Sequence, residues 1–480
     1  MKKVIFGTLL VGLFGLFLSV GLISCGGGGG GGSASTSTPT ISGTAATGKP
    51  LAYVPIYLKD SKGTVRSTIT DANGKFSFDT RGLTPPFYLR AEGNLFSYTE
   101  QSSGTANITP LTTAVVAIAN NGNSDIYTNP PKLNLTNAKN SLKSFLDPVL
   151  QKYSVQNVDF ITTPFDANGQ GMDAVIERIL ISVKPTNNTI DIEIKNPFTG
   201  ETIGKGTFAN GSISVSNPIN SDEVNNLPSS VTFKKYFAYA KNNYGGQEEG
   251  PYMVDVVESS NGQISVTITA VDGDTGDLFF IYGKGTKSGN NISFEVALIM
   301  CSDTDPNGTG TASFTGTIDS NGNITGTFIN TLSPGDTCKE NGSSIYEGTW
   351  KAEDITNASP ANIAGTYNVY ATPKGGLEEG PATLTITQTG NSVNSSLTFI
   401  DGDTGKEVTR TGKGTVYGAY VIVRIPVIIC HDTGSGEAEY ATFFGRYENG
   451  TITGIYGDGV YPGDSCKNGN AEGTWRAVKK

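Results

Sequence analysis

The sequence predicts a mainly β protein with a β-sandwich, a small helical middle segment and two tandem antiparallel up-and-down β-barrels. Three observations carry that reading. Glycine makes up 62 of 480 residues, well above the ~7% of average proteins, as in an exported strand-rich chain with many tight turns. Short runs in which apolar and polar residues alternate fill most of the chain from Ile41 onward. Everything after about Val231 is one unit written twice.

The chain opens with Lys2 and Lys3, an apolar run from Val4 to Ile23, and Ser24 directly before Cys25. This is the layout of an export signal. A run of this length can also span a bilayer as an uncleaved anchor, but the small residue before the cysteine and the glycines after it favour cleavage. Leu22-Ile23-Ser24-Cys25 resembles a lipoprotein lipobox. The resemblance implies that residues 1–24 are a signal peptide, that the Cys25 sulfur carries diacylglycerol, and that the exported protein is held to the membrane by lipid. In that family an aspartate after the cysteine favours inner-membrane retention; Gly26 stands there instead, which points to the outer membrane or cell surface. Residues 25–40 are a Gly/Ser-type tether with no side chains for a core, reaching roughly 20 Å as a random coil.

Residues 41–105 form the first folded unit. Val54–Leu58, Thr64–Ile69 and Lys75–Phe78 read as strands, and Asn73-Gly74 reads as a hairpin turn between the last two. Asp71 and Asn73 are explained by turn geometry rather than metal binding. Ile41-Ser42-Gly43, Gly48–Leu51, Thr70–Phe78 and Phe87–Ala91 resemble the carboxypeptidase regulatory-like domain. The resemblance implies a transthyretin-like β-sandwich of about seven strands and a non-catalytic role.

Residues 106–228 read as a helical segment plus a β-hairpin. Leu135, Ala138, Leu142, Phe145, Leu146, Val149, Leu150 and Tyr153 share one helical face, with Pro148 expected to kink or break the helix. Shorter helices are expected over Leu111–Ile118 and Met172–Val183, and Ile190–Ile194 alternates and pairs with Thr202–Phe208. Asp166, Asn168, Gln170, Gly171 and Glu177 match the spacing of an EF-hand calcium loop. No helix can enter it through Thr162-Thr163-Pro164, so a turn with Asp173 capping the next helix is the preferred reading, and no metal is expected.

The two copies occupy residues 229–355 and 360–480. Gly245–Pro251 recurs as Gly375–Pro381, Asp272–Gly276 as Asp401–Gly405, Pro334–Lys339 as Pro462–Lys467, and Glu347–Trp350 as Glu472–Trp475. Each copy carries about eight alternating runs joined by short turns, as in Thr383-Leu384-Thr385-Ile386-Thr387. That pattern favours a barrel that closes its own edges. Its architecture resembles lipocalin and streptavidin barrels; no ligand-binding residue carries over. Four cysteines can pair in three ways. Cys301 matches Cys430 and Cys338 matches Cys466, so Cys301–Cys338 and Cys430–Cys466 are the expected bridges, each worth about 4 kcal/mol in the chain-entropy model.

The net charge of −10 and the lack of any Lys/Arg cluster exclude nucleic acid as a partner. The chain has one histidine, His431, and the first copy has Ser302 in its place, so no catalytic residue and no cofactor are expected. Glu248, Glu249, Asp272, Asp274 and Asp403 are the carboxylates a hydrolase would need, and the Asp-Gly pairs are better explained as turns. Trp350 and Trp475 stand at equivalent positions as possible pocket residues, with core packing the simpler role. The expectation is a lipid-anchored, non-catalytic binding or adhesion module for a small ligand, glycan or envelope protein; the rival is a structural spacer with filled barrels.

Overall fold

The computed structural model describes residues 38–92, 94–186, 189–209, 212–243, 248–271, 278–298, 310–331, 345–373, 376–400, 405–427, 439–457 and 472–480. The N-terminal unit has seven strands: β1 (Thr40–Thr44), β2 (Pro55–Lys59), β3 (Val65–Ile69), β4 (Lys75–Asp79), β5 (Phe87–Ala91), β6 (Leu95–Thr99) and β7 (Gly104–Thr105). They form two sheets, ordered β4-β1-β7 and β3-β2-β5-β6. Alternation drives the arrangement. Phe76 and Phe78 of β4 turn inward around exposed Ser77, and share a core with Ile56, Leu58 and Leu89 of the other sheet. Asn73-Gly74 does not close a hairpin, because β3 and β4 belong to different sheets. The turn is built by Asp71, whose Oδ1 accepts from the backbone N–H of Asn73 and of Lys75 at 2.8 and 2.9 Å, with Gly74 at φ 73°. It hands the chain from one sheet to the other.

Three helices follow: α1 (Pro110–Ala119), α2 (Leu135–Lys152) and α3 (Met172–Arg178). Thr109 and Thr112 form a reciprocal capping box at the start of α1. The helix α2 continues through Pro148 without a break to Lys152, and its apolar face is buried as the periodicity requires. Next come β8 (Leu180–Thr186), β9 (Thr189–Lys195), β10 (Thr202–Ala209), β11 (Ser212–Asn217) and the short α4 (Ser221–Asn226). The expected hairpin is thus part of a four-stranded sheet, β11-β10-β9-β8. The helix expected over Met172–Val183 ends at Arg178 because Ile179 is extended and Leu180 onward pairs with β9. Pro185 fits there because β8 is an edge strand.

The duplicated half folds as two closed eight-stranded antiparallel barrels. The first comprises β12 (Val231–Asn242), β13 (Glu249–Ser259), β14 (Gln263–Val271), β15 (Leu278–Ser288), β16 (Asn291–Leu298), β17 (Gly310–Ile318), β18 (Ile324–Thr331) and β19 (Ile345–Asp354). The second comprises β20 (Gly365–Pro373), β21 (Glu379–Thr389), β22 (Ser392–Ile400), β23 (Glu407–Tyr417), β24 (Tyr420–Val427), β25 (Glu439–Glu448), β26 (Thr451–Gly457) and β27 (Glu472–Lys479). Each strand pairs with its neighbours in sequence, and the last closes on the first. Asn449-Gly450 joins β25 to β26 with both φ angles positive, the geometry that matches strand twist in a two-residue turn.

Candidate functional site

Up-and-down closure puts alternate connections on the same rim. At one rim they are short: 260–262, 289–290 and 319–323 in the first barrel, 390–391, 418–419 and 449–450 in the second. At the other they are long: 243–248, 272–277, 299–309 and 332–344, then 374–378, 401–406, 428–438 and 458–471. The motifs shared by the two copies fall in or beside these long connections. They include Asp272–Gly276 and Asp401–Gly405, and all four cysteines of the duplicated half. Cys25, Cys301, Cys338, Cys430, Cys466, His431, Asp272, Asp274, Asp401 and Asp403 lie outside the described residues.

The described interiors are packed with side chains. In the first barrel Phe294 stacks on Phe314 at 4.9 Å, and the Trp350 ring meets both edge-on at 5.6 Å. In the second Phe443 stacks on Tyr456 at 5.8 Å, and the Trp475 ring meets Phe443 edge-on at 5.3 Å. Each indole N–H donates to a backbone carbonyl, Trp350 to Thr315 at 2.9 Å and Trp475 to Phe444 at 2.8 Å. Both tryptophans are buried, at 5% and 4% exposure. Their polar ends are therefore already partnered.

Where the barrels meet, Phe237, Tyr239, Lys351, Glu353, Tyr420 and Arg446 line a cleft of about 680 Å³. Tyr420 donates its hydroxyl to Glu353 at 2.8 Å, and burial holds its acidity far below that of a free tyrosine. Arg446 lies 2.8 Å from Glu448 and 3.8 Å from Glu353, and Lys351 lies 2.7 Å from Glu248. Tyr239 is pushed up to about 12, again by burial. The cleft therefore alternates donors and acceptors over an aromatic base. No motif in the sequence marks it, because its residues come from both copies and are brought together only where the barrels meet.

The residues of the calcium-like spacing are engaged elsewhere. Asp166 pairs with Lys75 at 2.7 Å, Asn168 accepts from the Gln170 N–H, and Glu177 lies 3.2 Å from Arg178. Asp173 does not cap α3: Gly171 takes that position, and Asp173 Oδ2 accepts from the Gly169 N–H at 2.7 Å. Among the described residues no group of three or more His, Cys, Asp or Glu side chains stands together as a metal site. Glu249 receives the Tyr252 hydroxyl at 3.5 Å, and Glu248 pairs with Lys351.

The fold thus defines a mainly β chain with tandem closed barrels. No protein-family model matches it, and no curated relative matches it. Among solved structures it is similar to that of a candidate outer membrane protein from Bacteroides fragilis, at 13% identity over 52% of this chain and 97% of that one, with a TM-score of 0.16. A score that low carries no argument about fold or function.

Proposed function

We propose that this is an exported, lipid-anchored, non-catalytic binding protein that meets a glycan or an envelope protein with the loop-bearing rims of its barrels. One observation carries the reading: all the long connections of each barrel leave by one rim, and the motifs shared by the copies fall there. Long loops on a rigid scaffold are the usual place for recognition. The packed interiors favour a ligand held at the surface over a small molecule held inside. The anchor at Cys25, the bridges Cys301–Cys338 and Cys430–Cys466, and a carboxypeptidase regulatory-like identity for the N-terminal sandwich belong to the same proposal. A structural spacer is the second reading, favoured by the same filled interiors. Retention of the full chain on immobilised glycans and envelope fractions, and its loss when the long connections are shortened, is the test.

A further inference from the structure

The two barrels are copies, so positions at which they differ show what each copy does alone. Strand β16 reads Asn-Ile-Ser-Phe-Glu-Val from Asn291, with Asn291, Ser293 and Glu295 exposed and Ile292, Phe294 and Val296 buried. Its counterpart β24 reads Tyr-Val-Ile-Val-Arg-Ile from Tyr420. The inward positions stay apolar. The outward ones have become Tyr420, Ile422 and Arg424, and all three are buried, at 2%, 6% and 0% exposure. The neighbouring strand repeats the change: Thr311 and Thr315, exposed on β17, correspond to buried Tyr440 and Phe444 on β25. A strand apolar on both faces is one covered on both faces.

What covers it is on either side. Phe237 of the first barrel stacks on Tyr420 and meets Phe444 edge-on at 6.4 Å. Tyr57 of the sandwich meets Tyr440 edge-on at 6.5 Å. Glu92, at the end of β5, forms a two-pronged ion pair with Arg424, Oε1 to Nη1 and Oε2 to Nη2, with both side chains at 1% exposure. The backbone N–H of Leu278, in the first barrel, donates to the same Glu92 carboxylate at 3.1 Å. One carboxylate therefore touches three units of the fold. A buried charge is tolerable only when so paired, and removing one partner leaves the other uncompensated.

We infer that the outer face of β24 and β25 is a docking surface present only in the second copy, which locks the N-terminal sandwich and the first barrel onto the second as one rigid body, with Glu92–Arg424 as its key. The consequence is positional. Whatever the rims bind, the sandwich presents them as a fixed mount rather than a swinging spacer.

The test gives the second copy the residues of the first, Tyr420→Asn, Ile422→Ser and Arg424→Glu, in the full chain. Cleavage of the segment between the barrels, residues 355–364, should rise roughly a hundredfold, as expected for loss of one partner of a buried pair. Small-angle scattering should show a larger radius of gyration, while Trp475 emission stays that of a folded barrel. Should the triple variant fail to fold, Glu92→Gln, which leaves the second barrel untouched, decides: it should raise cleavage in the same direction, and the exchange Glu92→Arg with Arg424→Glu should bring it back towards wild type. Cleavage and scattering unchanged in the folded triple variant, or in Glu92→Gln, would overturn the inference.

Discussion

Phe237 of the first barrel lies flat on Tyr420 of the second, ring centroids 4.4 Å apart and planes 12° from parallel. Both side chains are fully buried, yet each points out of its own barrel. They therefore belong to the joint between barrels and not to either interior.

Phe237→Ala should destabilise the chain by about 3–5 kcal/mol, the usual cost of truncating a fully buried phenylalanine. Because the ring lies outside its own barrel, the loss should separate the unfolding of the two barrels rather than melt the first one alone. Denaturant unfolding followed by circular dichroism and by scanning calorimetry checks both statements.

Gly326 and Gly454 are equivalent glycines at which an added Cβ would lie 1.8 and 1.9 Å from the carbonyl oxygens of Thr315 and Phe444. These contacts are with backbone of the adjacent strand and cannot be relieved by a rotamer change. Gly326→Ala and Gly454→Ala should each cost about 1–3 kcal/mol by overpacking. A change in unfolding midpoint near zero for either would show that the strands are not in this register.

Burial holds the Glu177 carboxyl up at about 7 and Asp173 at about 6, against the pull of Arg178. The folded chain therefore keeps protons that the unfolded chain has released above its ordinary carboxyl range of about 4. The stability these two groups contribute is present in full below that range and is lost as pH rises through 6 and 7. Between pH 5 and 8 wild-type stability should fall, and Glu177→Gln should flatten part of that fall. Equal slopes in the two proteins, measured by thermal melts across the window, would remove Glu177 from the account.

Trp350 and Trp475 are the only tryptophans, so fluorescence reports on the barrel interiors alone. Emission should be blue-shifted and resistant to aqueous quenchers, as for indoles packed against aromatic rings. Ready quenching by a small neutral solute would mean that the interiors are open to solvent.

The barrels were legible because along most strands, as from Thr383 to Thr387, outward residues are polar and inward ones apolar, and because the chain repeats itself. The helix α2 was legible from one apolar face. The segment from Ile179 to Val183 was not, since a short apolar run suits a helix end or a strand equally and its partner β9 decides. Asn73-Gly74 misled for a different reason: the dipeptide specifies a tight turn, but which sheets it joins depends on tertiary pairing. The cleft between the barrels was hidden because Tyr239, Glu353, Tyr420 and Arg446 are ordinary strand residues until the barrels dock. Their sequence spacing holds no trace of that meeting.

Binding through the loop-bearing rims is tested most directly by replacing connections 272–277 and 401–406, which carry a motif shared by the copies and no cysteine, with two-residue Asn-Gly turns and measuring retention of both proteins on a glycan array and on immobilised envelope fractions. The expected result is a variant that keeps the wild-type melting profile of its strands and loses retention. Retention unchanged in the variant would contradict the rims as the binding surface, and a wild-type chain retained by none of the surfaces would leave the spacer as the function.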